Sequence, residues 1–170
     1  YPNHLRIFDP TWFELPRKAL QGKLLARAAI LEAEPRLRTV TEAYAEFLEE
    51  GGRIEFPELE PELITSILDR EHPVLAGLSA TFLYRQIRER PDDNEDDDLR
   101  GEPVGHFVVI CGYSGSGRHF MIRDPSKHVP FSKSGRYLVP AQRLISSILL
   151  GDSSYDAVLL EIWPRNHRGV

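Results

Sequence analysis

The chain has 170 residues, enough to bury a core within one domain, and its 41% hydrophobic and 28% charged composition is that of an ordinary globular protein. A formal net charge of −5 argues against nucleic acid or an anionic membrane as the main partner, and no apolar run approaches the roughly 20 residues of a membrane-spanning helix. A single cysteine excludes an internal disulfide and a thiolate metal cluster, which fits a reducing, cytoplasmic setting, and nothing in the composition asks for a cofactor.

In chain order, Asn3-His4-Leu5-Arg6-Ile7 alternates polar and apolar residues and predicts a short strand, turned at Asp9-Pro10, with Trp12 and Phe13 packing inward. Leu15 to Ala33 carries Leu20, Leu24, Leu25, Ala28 and Leu31 at helical spacing, with Ile30 at the edge of the stripe. A second helix follows Pro35, with Thr39 or Thr41 as cap and Val40, Ala43, Tyr44, Phe47 and Leu48 on one side, ended by Gly51-Gly52. Pro57 to Arg70 predicts a third helix with a core stripe of Leu59, Leu63, Ile64, Ile67 and Leu68, stopped at His72-Pro73. Val74 to Ser79 is a continuous apolar strand, buried on both faces.

Thr81 to Arg90 fits helix or loop. Pro91 to Asp98 is an acidic run that alternates Asp92, Asn94 and Asp96 in the manner of a calcium loop. It has Asp97 where such a loop needs glycine and Pro103 where it needs glutamate, so a mobile solvated loop is expected. A strand around Arg136–Val139, a helix from Pro140 through Leu149 ended by Gly151, and a strand from Asp156 to Trp163 complete the chain. Helices precede a mostly antiparallel sheet, which makes the fold class α+β.

The most informative stretch is the hairpin between these parts. Gly105-His106-Phe107-Val108-Val109-Ile110-Cys111-Gly112-Tyr113 and Arg118-His119-Phe120-Met121-Ile122-Arg123-Asp124-Pro125 flank a Ser114–Gly117 turn. Symmetric closure sets Asp124 opposite Phe107, and a one-residue bulge at the strand end brings it level with His106. Alternation puts His106, Val108 and Ile110 on one face and Phe107, Val109 and Cys111 on the other. A histidine oriented by an aspartate is the base half of a nucleophilic constellation, although Asp-Pro after a strand is also plain turn chemistry.

Gly105-His106-Phe107-Val108-Val109 together with Arg123-Asp124-Pro125 resembles the bacteriocin-processing peptidase-like family of papain-fold cysteine peptidases. Phe8-Asp9-Pro10-Thr11-Trp12-Phe13, Gly77 through Tyr84 and Ile148-Leu149-Leu150-Gly151 resemble a bacterial branch of it, so the likeness spans nearly the whole chain. The resemblance implies a papain-like fold, with N-terminal helices packed on the sheet. It also implies His106 as base, Asp124 as its orienter, a nucleophilic cysteine at a helix start and an oxyanion glutamine just before it. Neither of the last two precedes the first helix here. The only methionine is Met121, so the chain reads as a single peptidase-like domain trimmed of a nucleophile-bearing N-terminal segment.

Cys111 does not fill the gap, because alternation sends it to the face opposite His106, and it reads as a buried structural cysteine. Ser79 and Thr81 stand near a strand end within possible reach of the cleft. Two functions follow. One is a cysteine peptidase-like acyl hydrolase, inactive as it stands. The other is a non-catalytic module whose groove of Ser79, Phe82, Tyr84 and Phe107 holds an extended peptide by strand addition. Metal chemistry at His106, Asp124, His119 or His128 ranks below both, since no His-x-x-x-His pair occurs. The expected partner is a peptide or protein substrate, with self-association through sheet surface that a missing helix would leave bare.

Overall fold

The computed structural model describes residues 1, 2, 4–151 and 157–163. They fall into two compact units, Tyr1–Pro57 and Glu58–Val170.

In the first unit a 3-10 turn at Pro10–Trp12 precedes α1 (Arg17–Ala29) and α2 (Pro35–Glu49). The expected opening strand does not form over the described residues: the Ile7 and Phe8 amides both donate to the His4 carbonyl and close a turn, and Asn3 lies outside the described residues. Asp9 caps the 3-10 turn by accepting from the Thr11 amide. Phe13 does not pack inward; it is 37% exposed and stacks on Phe56 with ring centroids 4.1 Å apart. Leu20, Leu24 and Ala28 are the buried stripe of α1, whereas Leu25 is exposed.

In α2 the buried face is Leu37, Thr41, Ala45 and Leu48, rotated from the expected one. Pro35 is its first residue, so Thr39 and Thr41 are interior and cap nothing. Their hydroxyls donate back to the carbonyls of Pro35 and Leu37. Gly51, at φ +94°, supplies the left-handed exit after the helix.

The second unit contains α3 (Pro61–Asp69), β1 (Val74–Ser79), α4 (Ala80–Tyr84), β2 (Gly105–Tyr113), β3 (His119–Arg123), β4 (Arg136–Pro140), α5 (Ala141–Leu149) and β5 (Val158–Glu161). Thus α3 is shorter than its apolar pattern suggests, and the Thr81–Arg90 stretch resolves into one helical turn and a loop. Asp156, the expected start of the last strand, lies outside the described residues. The five strands form one antiparallel sheet in the order β4-β3-β2-β1-β5. The described chain is therefore a mixed α+β protein with five α-helices.

One face of the sheet is the core. Val74, Ala76 and Leu78 of β1, Val108 and Ile110 of β2, Phe120 and Ile122 of β3 and Leu159 of β5 are all 0% exposed. Ile64 and Ile67 of α3 and Leu144 and Ile148 of α5 pack with them. Burying such side chains is worth about 1.5–3 kcal/mol each, which makes this layer the main stabiliser of the unit. The other face is open on the remaining strands, where Phe107, Met121, Leu138 and Leu160 are each 36–56% exposed, whereas in β1 Gly77 and Ser79 are buried and Leu75 half-buried. Among the described residues no helix is long and apolar enough to cross a membrane.

Residues 86–104 are not a plain solvated loop. Glu89 exchanges backbone hydrogen bonds with Glu102 and bridges Asp96, while the Asp97 amide donates to the Arg88 carbonyl. Among the described residues no group of three His, Cys, Asp or Glu side chains gathers in a metal-binding arrangement.

Candidate active site

The site is built where β1 and β2 meet the chain segments that follow and precede them. The Ala80 amide donates to the Val104 carbonyl at 2.8 Å, and the Val104 amide donates to Thr81 Oγ1 at 2.9 Å. These two bonds fix the entry to β2. His106, the second residue of β2, is paired with Leu78, and Asp124 is the first residue after β3.

Which face Asp124 occupies depends on a bulge. Near the turn the ladder pairs Tyr113 with Phe120 and Gly112 with Met121; beyond it, Ile110 pairs with Ile122 and Val109 with Arg123. Cys111 is the extra residue. Were Cys111 paired within the ladder, the near-turn register would run on and set Asp124 against Val109, on the face away from His106. With Cys111 left out of the pairing, continuing the ladder by one residue sets Asp124 against Val108, on the face of His106. The bulge thus lies in mid-strand, not at the strand end, and leaves Asp124 two residues short of the position opposite His106. The side chains span this offset: His106 Nε2 lies 2.8 Å from Asp124 Oδ1.

The Asp124 side chain is fully buried and fully hydrogen-bonded. Oδ1 also accepts from the Ser126 amide at 2.9 Å, the local turn expected of Asp-Pro-Ser. Oδ2 accepts from the hydroxyls of Tyr84 at 2.6 Å and Tyr137 at 2.7 Å. Burial alone would raise the Asp124 pKa, but the bonds from Tyr84, His106, Tyr137 and Ser126 outweigh it and hold the carboxyl below its ordinary value. Burial first, and then the bond to Asp124, raise both phenols well above the usual tyrosine range. Phe131 packs edge-on against both rings, with centroids 5.9 Å from Tyr84 and 4.8 Å from Tyr137. On the backbone side the Asp124 amide donates to the Gly135 carbonyl, and Gly135 has φ +65°. A Cβ at Gly135 would lie 2.4 Å from the Asp124 carbonyl oxygen, so only glycine fits there.

An ionised carboxylate only accepts hydrogen bonds, so a neutral His106 carries its proton on Nε2 and presents the Nδ1 lone pair elsewhere. The imidazole is 23% exposed and lines a pocket of about 210 Å³ that Tyr84, Gln86, Ile87, Glu89 and His128 also line. Chemically, such an arrangement can take a proton at Nδ1 and hold the resulting imidazolium against Asp124.

The remaining residues singled out from the sequence are dispersed. Tyr84 lines the His106 pocket, but its hydroxyl is committed to Asp124. Ser79 is 3% exposed and caps α4 by accepting from the Phe82 amide. Together with Phe82 it lines a separate pocket of about 700 Å³. Phe107 lies on the open face of the sheet, away from His106, and is 42% exposed. The four do not form one groove. The Thr81 hydroxyl anchors Val104.

Cys111 is exposed, not buried, and stands outside the ladder at the bulge. It lines a different pocket, with His72 and Tyr113. His119 stands at the turn end of β3, remote from His128, which is in the His106 pocket.

Tyr137, Ser126, Gln86 and Glu89 were not anticipated, and His128 was considered only for metal chemistry. Tyr137 had a signal in the sequence: a turn through Gly135 pairs it with Ile122, on the face that Asp124 continues. The others sit on loops, where no periodicity fixes direction.

No protein-family model, curated protein or solved structure matches the chain.

Proposed function

We propose that this chain carries the base half of a cysteine peptidase-like site on a papain-like fold. His106 accepts a proton through Nδ1 from a thiol, and Asp124 holds the ring and stabilises the imidazolium. The thiolate attacks a peptide or other acyl carbonyl, and the histidine returns the proton to the leaving group. One observation carries this reading: a buried, fully hydrogen-bonded carboxylate 2.8 Å from the Nε2 of a histidine that opens onto a pocket. The reading requires a thiol from beyond these residues, since the only cysteine, Cys111, lines another pocket.

The test supplies that thiol. A peptidyl nitrophenyl ester, with a small alkyl thiol in solution as the nucleophile, is cleaved at least ~10-fold faster by the chain than by its His106→Ala variant, less than the ~100-fold or more of a general base whose nucleophile is held in place. Equal rates contradict the proposal.

A second reading, a non-catalytic peptide-binding module, is favoured by one observation. The serine and threonine that line the pocket, Ser126 and Thr81, accept from the His128 and Val104 amides and make no hydrogen bond to His106, so no activated nucleophile stands beside it among the described residues. Peptide binding at His106 without thiol-dependent acceleration supports it.

A further inference from the structure

The pocket beside His106 is small. At about 210 Å³ it falls below the ~300–1,000 Å³ of sites for drug-sized ligands, and so suits one side chain of a longer molecule. Its lining is mostly neutral, with Ile87 and Tyr84 supplying apolar surface and Gln86 an amide. When both imidazoles are neutral, Glu89 is the only charged residue among those that line it.

Glu89 is held in place by its backbone, which exchanges hydrogen bonds with Glu102 at 3.2 and 2.8 Å. No cation neutralises it among the described residues. Its neighbours Arg88 and Arg90 are engaged elsewhere: Arg88 donates to the Asp98 carbonyl, and Arg90 pairs with Asp93. The third arginine of the loop, Arg100, pairs with Asp97 at 2.8 Å. Residues 88–102 hold eight carboxylates and three arginines, a formal charge of −5, equal to that of the whole chain. An uncompensated carboxylate in a partly apolar pocket, backed by a field of one sign, attracts a cation.

We propose that Glu89 makes this pocket selective for a peptide carrying a Lys or Arg side chain next to the carbonyl presented to His106. The inference rests on the reading of His106 as the base of a peptide-recognising site. Glu89 is a specificity-determining residue in it: the ammonium or guanidinium meets the Glu89 carboxylate, and the aliphatic stem lies along Ile87 and Tyr84.

The test uses the whole chain at pH 8, where free histidine is neutral. Three capped peptides that differ at one central position, Lys, Gln or Glu, are titrated while the His106 ring resonances and the affinity are followed. The Lys peptide is expected to shift the His106 resonances and to bind at least ~5-fold more tightly than the Gln peptide, with the Glu peptide weakest. Glu89→Gln brings the three to within about twofold of one another while leaving the His106–Asp124 bond intact. Peptides that shift His106 with no charge preference, or with one that survives Glu89→Gln, overturn the inference and leave the base reading standing. Peptides that never shift His106 overturn both.

Discussion

Asp124 reaches His106 diagonally across the hairpin, from the position opposite Val108, and only because Cys111 interrupts the ladder between them. The contact therefore depends on Cys111 staying out of the ladder. Deleting Cys111 joins the Gly112–Met121 and Ile110–Ile122 pairs into one regular ladder and leaves Asp124 opposite Val108, on the face of His106. The expected result is a folded variant that keeps the His106–Asp124 bond by NMR. Loss of the bond in a folded deletion variant contradicts the register given to the hairpin.

Tyr84→Phe and Tyr137→Phe each remove one hydroxyl from Asp124 Oδ2 without changing ring packing. Each is expected to cost on the order of 1 kcal/mol, and each raises the Asp124 pKa, because fewer donors stabilise the charged form. Carbon-detected titration of the carboxyl checks the direction. Unchanged titration in both variants shows that the phenols do not serve the carboxylate.

The same network fixes how stability depends on pH. The Asp124 pKa is lowered in the fold, so its contribution is present above the unfolded value near 3.9 and is lost as pH falls through the lower folded value. The pKa values of Tyr84 and Tyr137 are raised, so their contribution is full below about pH 10 and is lost as pH rises beyond it. Urea midpoints are expected to fall at both extremes. Tyr84→Phe combined with Tyr137→Phe flattens the alkaline fall.

Gly135→Ala places a methyl group against the Asp124 carbonyl oxygen at a residue with φ +65°. The left-handed backbone alone costs about 1–2 kcal/mol, and the clash adds to it. Displacement of β4 also separates Tyr137 from Asp124. Gly115→Ala, at a turn position with open space around the added carbon, is the control and is expected to be nearly neutral.

Much of this arrangement was legible in the residues. Val74–Ser79, the central hairpin and the helix after Pro140 follow from β-branched runs and punctuation by glycine and proline. Helix edges were less so: Pro35 and Pro61 begin α2 and α3 as first-turn prolines, while threonines and upstream apolar residues suggested other starts. His106 and Asp124 were paired correctly as neighbours but by the wrong register, since a mid-strand bulge leaves no mark in an apolar run. Phe107, Phe82 and Ser79 were grouped by type alone. Strand alternation sets Phe107 on the open face, while Ser79 and Phe82 stay together beside a pocket other than that of His106. Glu89 lay in the Thr81–Arg90 stretch, which fits helix or loop and so fixes no side-chain direction.

The most direct measurement is the ring ¹⁵N–¹H spectrum of His106 at pH 8, compared with that of Asp124→Ala. The account predicts a protected Nε2 proton, shifted downfield by its bond to a carboxylate, and an unprotonated Nδ1; the protection disappears in the variant. An exchange-averaged ring in the wild-type chain, or a proton held on Nδ1, would contradict the base assignment.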